Sequence, residues 1–483
     1  MTSGLRNMFR CFSVHHSPSL FSRATPFSTP FNTIVHQPVI LNVRRHHASV
    51  SNLGSIMGSQ FDDSSRTEPF KVLILGGCYA GLSAALNLID LSEGRAARQE
   101  NGAIPAHDGK IPVDITIVDE RDGYYHLIGS PLALANETYA AKAWVKYDDI
   151  PALKSPKIRQ IIHGTAKKVD PASRRATVLE TATQTERQLT YDYLVVGTGL
   201  RRVWPVVPQS LTKKEYLVEA GAHINSVQNA SAGVVVVGGG AVGIEMATEL
   251  KIMRPGTKVT LVHSRDKLLS SEDLPDECKD RAVELVREGG VELLLGSRLE
   301  GTAEVKRGDD RTVTEVSLND GKKMDASVVI MAVSKPVPST DFLPREALDE
   351  ENLIKARPSM QFPVGVPNAD CHFAAGDAIK WSGIKRCGGA MHMGYFVAHN
   401  IHEMILGKMH GVAPKFLELG EVPPMIGLAV GKKAISYSPA QGVCFGEDVM
   451  KAFFGDDIAF SICWNHMKLG QAHGLPKGSV IEG

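Results

Sequence analysis

The sequence predicts an α/β chain built from two parallel-sheet units, the second inserted into the first, with a small α+β domain after them. Three observations predict it. An apolar run, a glycine-rich turn and a helix-like segment follow one another at residues 71–91 and again at 233–251. A further apolar stretch at residues 372–375 ends in Gly376-Asp377, so the first sheet is resumed after the second unit. With 483 residues, 43% of them hydrophobic and 22% charged, the chain is long enough for about three domains, each with its own core.

Residues 71–75 read K-V-L-I-L, a run suited to a strand buried on both faces. Gly76-Gly77-Cys78-Tyr79-Ala80-Gly81 follows, then a helical pattern over 82–91. Strand, glycine turn and helix in that order aim backbone N–H groups and a helix N-terminus at a pyrophosphate. Cys78 stands where the central glycine of G-x-G-x-x-G belongs, and its side chain is expected to crowd the phosphate's approach. Asp119 ends the next strand-like run, 115–119, where a carboxylate would accept hydrogen bonds from a ribose diol. The segment 92–110, between helix and strand, is polar and reads as a surface loop.

The second unit keeps all three glycines. Residues 233–237 read G-V-V-V-V and lead into Gly238-Gly239-Gly240-Ala241-Val242-Gly243, with a helix expected over 244–251. Its second strand, 258–262, ends at His263-Ser264-Arg265 rather than at an acid. No carboxylate there repels a 2′-phosphate, and Arg265 would pair with one, so the reading is tolerance of or preference for NADPH; ordinary solvated loop residues are the plainer alternative. Two such turns 162 residues apart imply two Rossmann-like nucleotide sites, one for a tightly bound flavin and one for an exchangeable nicotinamide.

These motifs resemble the flavoproteins with two dinucleotide-binding domains, the pyridine nucleotide oxidoreductases. The run Tyr191-Asp192-Tyr193-Leu194-Val195-Val196-Gly197-Thr198-Gly199 is similar to the strand that closes the family's first flavin segment. His372-Phe373-Ala374-Ala375-Gly376-Asp377-Ala378 is similar to its later flavin motif, in which Asp377 would bind near the ribityl chain and pyrophosphate. Within the family the resemblance is strongest to the apoptosis-inducing-factor-like group, which includes ferroptosis suppressor protein. It implies an FAD domain at 67–205 and 336–402, an inserted NAD(P)H domain at 206–335 and a C-terminal domain at 403–483. It also implies that Gly199 and the backbone at Ala166 lie near FAD, and that the N-terminus of the helix over 390–401 faces the flavin ring.

The resemblance implies FAD as cofactor, NADPH or NADH as co-substrate, and a ubiquinone-like quinone as acceptor. Glu245, opening the nicotinamide-side helix, would hold the nucleotide or the flavin edge; a carboxylate favouring a helix N-terminus is the alternative. His392, with Met391 and Met393, would meet a quinone oxygen; a packed helix start is the alternative. Disulfide reductases of this family need a thiol pair beside the flavin, yet no cysteine lies between Cys78 and Cys278. Cys371 and Cys387 flank the Asp377 motif and read as small buried hydrophobes. A reductase of a protein electron carrier and a weakly turning redox-sensing, cell-death-associated protein are the rival readings.

Formal net charge is zero, but residues 1–61 carry five arginines, no lysine and no acid. That leaves the remainder at −5, with no basic–aromatic pattern, which argues against nucleic acid. The leader, 1–66, has the composition of a mitochondrial transit peptide. A disordered basic tail is one alternative. Another is a start at Met57 exposing Gly58 for myristoylation, giving a cytoplasmic or membrane-associated protein. No apolar run approaches the roughly 18 to 20 residues of a membrane-spanning helix. Attachment to a membrane surface and a homodimer stay open, as do Phe445, Phe453, Phe454, Phe460 and Trp464 as domain core or membrane-facing rim.

Overall fold

The computed structural model describes residues 68–99, 110–308, 311–333 and 335–472. The leader, with its import and myristoylation readings, lies outside the described residues. The chain opens with β1 (Phe70–Leu75), α1 (Tyr79–Ser92) and β2 (Val113–Asp119). β1 is buried except at Lys71, as an interior parallel strand requires. Then come β3 (Ile158–Asp170), β4 (Arg175–Glu180), β5 (Glu186–Thr190) and β6 (Tyr193–Val196).

The second unit comprises α4 (Lys213–Gln228), β7 (Val234–Val237), α5 (Ala241–Met253), β8 (Val259–Val262), α6 (Asp276–Glu288), β9 (Glu292–Leu294) and β10 (Val328–Met331), counting the short helices Ser130–Ala133 and Glu137–Ala143 as α2 and α3. Its four strands form one parallel sheet in the order β9-β8-β7-β10. β11 (His372–Ala374) then returns to the first sheet, whose order is β11-β6-β1-β2-β3-β4-β5. Every strand of the first sheet thus falls before residue 202 or after 335, and every strand of the second between them.

The long helix α7 (Cys387–His410) packs along α1. A Cβ at Gly394 would strike the Ala80 carbonyl, so the two helices meet backbone to backbone. α7 runs unbroken past residue 402, where a domain boundary was expected, because Ile401, Ile405 and Leu406 carry its buried face onward. After it, an antiparallel sheet of β12 (Ile426–Val430), β13 (Lys433–Ser438) and β14 (Gly442–Gly446) precedes α8 (Glu447–Phe453) and α9 (Phe460–His466). β12 lies against α5, while Phe454, Phe460 and Cys463 are buried in the same core as α1 and α7. Phe445 alone of the late aromatics is largely exposed, with the Arg281 guanidinium 3.9 Å over its ring.

One expectation is corrected. The start of the polar insertion after α1 does not run free over the surface. Arg98 is buried, donating to Asp90 and to the carbonyls of Met467 and Lys468. Gln99 reaches Ser83 on α1 and the Met391 carbonyl on α7. Charged side chains are buried when every donor is met, and a polar sequence does not reveal that in advance. Residues 100–109 of the insertion lie outside the described residues.

Candidate active site

The carboxyl edge of the first sheet gathers four turns. Gly76 follows β1, Asp119 ends β2, Gly197–Gly199 follow β6, and Gly376-Asp377 follow β11. Main-chain bonds prolong the ladder into them: Gly76 N–H donates to Val118, Gly197 N–H to Leu75, and Ala375 N–H to Val196, at 2.8–3.0 Å. Gly76 has φ +100°, and a Cβ there would sit 2.5 Å from the Gly197 carbonyl oxygen, so only glycine fits. Asp119 accepts the Gly77 N–H at 2.5 Å and the Arg121 N–H at 2.8 Å. Burial raises its carboxyl pKa, opposed by Arg121 and by these two donors. Tyr147 caps the same turn, donating to the Gly77 carbonyl at 2.8 Å.

Cys78 does not crowd the turn as expected. Its thiol donates to the Tyr125 carbonyl at 3.4 Å, and its φ is −106°, so no glycine is needed there. Burial pushes this thiol up to about 12, which leaves it a protonated packing group. Tyr79, the first residue of α1, hydrogen bonds His126 Nδ1 at 3.1 Å, as does Tyr124. His126 Nε2 donates to the Ile458 carbonyl at 2.8 Å, and burial holds its imidazole down to about 4.

The nicotinamide-side turn repeats this geometry with different chemistry. Gly239 N–H donates to His263 Nδ1 at 3.1 Å, as Gly77 N–H does to Asp119. With Nδ1 accepting, the ring is neutral, and burial together with Arg265 lowers its pKa. His263 Nε2 then meets Ser270 Oγ at 3.0 Å, and the exposed Arg265 reaches the same hydroxyl at 3.3 Å. Gly238 (φ +122°) and Gly243 are closely packed, whereas a Cβ on Gly240 would meet nothing within 4 Å. The middle glycine therefore faces open space, where a pyrophosphate would lie.

Residues from several elements then converge. Asp377 is desolvated, which raises its pKa against the pull of Lys385 and Arg202. Lys385 Nζ donates to the Asp377 and Ile379 carbonyls and fixes that turn. Cys387, the first residue of α7, lies within electrostatic reach of Asp377, of Cys78 and of Glu245 on α5. Glu245 Oε1 accepts weakly from the Ala429 N–H at 3.4 Å, and burial pushes its carboxyl up to about 8.

The model of the pyridine nucleotide-disulphide oxidoreductase family matches residues 70–394, more than half of the chain and all of the turns just described. The chain belongs to this family. It is 50% identical over 436 residues to Oxidoreductase OXR1 of Ajellomyces capsulatus, covering 89% of this chain and 93% of that protein. It is 28% identical over 276 residues to ferroptosis suppressor protein 1 of Mus musculus, covering 57% of this chain and 65% of that one. Among solved structures it resembles NDH2 of Plasmodium falciparum, with a TM-score of 0.60 at 12% identity over 83% of this chain and 97% of that one. It also resembles putidaredoxin reductase in its covalent complex with putidaredoxin, with a TM-score of 0.54 at 20% identity over 77% and 81%. At those identities the two structures speak for the fold alone.

As a family member the chain is an oxidoreductase that binds FAD and NAD(P)H, and its residues fit both. Gly76, Gly77, the backbone of Cys78, Tyr79, Ala80 and Gly81 would form the first phosphate turn, and Gly238, Gly240 and Gly243 the second. Asp119 keeps acceptor capacity for a ribose diol beside its two backbone donors. Ala166 lies on β3 three residues beyond His163, the register partner of Asp119, and Gly199 (φ +66°) has open space around it.

His392 sits on α7 with its ring 4.4 Å from that of Phe396, and burial beside His466 and Arg386 holds it down to about 3. It is neutral at physiological pH, so any help to an acceptor comes from a neutral N–H rather than an imidazolium. Sequence reading named Tyr79 but missed Tyr147, Lys385, Tyr124 and His126. Their roles arise from contacts with distant segments, and no local motif marks them.

The elevated Glu245 carboxyl gives a stability prediction. Its folded pKa, about 8, stands above the ordinary unfolded value of about 4.3. The folded state therefore binds the extra proton, and the contribution to stability is lost as pH rises from about 4 through about 8. Glu245→Gln mimics the protonated form. Its Tm should match the native protein's near pH 5 and exceed it by about 2 °C at pH 9, read by differential scanning calorimetry. Equal Tm differences at both pH values would refute the assignment.

Proposed function

We propose that the chain is an FAD-dependent NAD(P)H:quinone oxidoreductase. The observation that carries the reading is the pair of glycine turns, Gly76–Gly81 on the first parallel sheet and Gly238–Gly243 on the second, with Gly240 facing open space, while α1 carries no thiol pair. When bound, FAD supplies the redox chemistry, taking hydride from NAD(P)H and passing electrons to the quinone. The chain's own part is to hold two nucleotides by backbone N–H groups, orient them through Asp119 and His263, and keep Glu245 protonated beside the reacting centre near neutral pH. Alignment of the two rings, rather than acid–base groups, sets such a hydride transfer. The likeness to ferroptosis suppressor proteins supports a quinone as acceptor. The acid-free stretch 1–61 of the leader supports delivery to mitochondria, tested by mass spectrometry of the native N-terminus.

Anaerobic titration of the purified protein tests the activity. NADPH or NADH should bleach the flavin rapidly, and a soluble ubiquinone analogue should restore the colour; slow bleaching with no response to quinone would overturn the reading. His392→Ala should slow the quinone half-reaction about tenfold, as loss of one neutral hydrogen bond does, with flavin reduction unaltered. Because the imidazole is already neutral, the native rate should not follow a histidine titration between pH 5 and 7.

Arg265 and His263 support use of NADPH. Arg265→Ala should lower kcat/KM for NADPH about tenfold and leave that for NADH within twofold, since only the former offers a 2′-phosphate. Equal losses with both nucleotides would remove Arg265 from phosphate recognition.

A further inference from the structure

The family's usual redox thiols are missing from α1, but the fold assembles a different pair. Cys387, first residue of the 24-residue helix α7, has its sulfur 3.9 Å from that of Cys463 on α9. The two are 76 residues apart in sequence. Cys387 is 7% exposed and Cys463 is 0% exposed, so dissolved thiols and disulfides do not reach the pair in the closed fold. Cys78, Tyr79 and Tyr124 lie within electrostatic reach of both sulfurs, and the Asp377 carboxyl within reach of Cys387. A disulfide spans about 2 Å, so the two sulfurs would close by about 2 Å to bond.

The two sulfurs are not equivalent. Cys387 heads a long helix, where free N–H groups and the helix dipole favour a thiolate. The Gly388 N–H, the Arg386 guanidinium and the neighbouring Cys463 thiol all act in that direction, and together they lower the Cys387 pKa despite its burial. Cys463, on α9, is the deeper of the two, with no exposed surface. An attacking or leaving thiolate on Cys387 and a buried partner on Cys463 is the asymmetry that a working dithiol requires.

We propose that Cys387 and Cys463 form a second redox centre, a dithiol–disulfide pair that exchanges two electrons with the flavin. Fully reduced flavin gives two electrons and two protons to the S–S bond. That bond breaks, an S–H forms on each cysteine, and the flavin returns to its oxidised state. The reverse step reoxidises the dithiol. The chain thereby holds four reducing equivalents instead of two. The inference needs bound FAD but does not depend on which acceptor the enzyme serves.

Full-length holoprotein oxidised with ferricyanide and freed of it should be titrated anaerobically with dithionite while the flavin absorbance is followed. The native protein is expected to consume two two-electron equivalents per flavin, and Cys463→Ser only one. Denaturing alkylation and peptide mapping of the native protein should show two fewer alkylated cysteines in the oxidised form and a peptide joining positions 387 and 463. Bleaching complete at one equivalent, with both cysteines alkylated before and after oxidation, would overturn the proposal, as would a colourless protein. If Cys463→Ser does not fold, the native stoichiometry and peptide map decide alone. Failure of the quinone reading would leave both readouts unchanged.

Discussion

Gly240→Val is expected to give a folded, yellow protein that has nearly lost its use of NADPH and NADH. Gly240 has φ −79°, a value open to any residue, and a Cβ built on it meets nothing within 4 Å. The substitution therefore costs the fold little. The open space is the approach a pyrophosphate would take to the N-terminus of α5, and two added methyl groups fill it. KM for both nucleotides should rise about 100-fold, or about 2.7 kcal/mol, with Gly240→Ala intermediate. The flavin spectrum and far-UV circular dichroism should match the native protein. A KM within twofold of native would place the nicotinamide nucleotide elsewhere.

The contrast between the two turns shows which parts of this molecule the sequence makes legible. Both glycine turns, both parallel sheets and the return of β11 to the first sheet are written locally, as apolar runs punctuated by glycines, among them Gly76, Gly81, Gly238 and Gly243, whose backbone angles or packing admit nothing else. The residues that finish the site are not. Asp119 and His263 look unrelated in sequence, yet each accepts the N–H of the second glycine of its own turn. Their equivalence rests on register, because Asp119 ends, and His263 directly follows, the strand beside the one that feeds the turn. Cys78 breaks the glycine pattern, but its side chain finds the Tyr125 carbonyl, outside any local motif. The approach of Cys387 to Cys463 was likewise hidden, since it depends on α9 folding back against α1 and α7. Short-range patterning specifies a strand or turn; only tertiary packing specifies which side chains share a cavity.

Gly81→Ala should cost the protein its FAD as well as part of its stability. Gly81 lies in the first turn of α1, where a Cβ would run into the Gly76 carbonyl oxygen and sit 3.1 Å from Ile74 Cγ2. Neither neighbour can give way cheaply. The Gly76 carbonyl is main chain held between β2 and Gly197, and Ile74 is fully buried in β1. The extra methyl must push α1 off the sheet, an overpacking that costs about 1–3 kcal/mol. Moving α1 also displaces the N–H groups of the phosphate turn, whose position depends on Asp119 and Tyr147 bonding Gly77. The purified variant should be pale or colourless, its Tm lower by about 2–10 °C, and added FAD should restore both only in part. Gly240→Ala adds the same methyl in the homologous turn but without a collision, and should keep its colour and its Tm. A yellow Gly81→Ala protein with native Tm would mean that the approach of α1 to β1 is looser than this packing requires, and the flavin would then have to be held chiefly by the side chains around it.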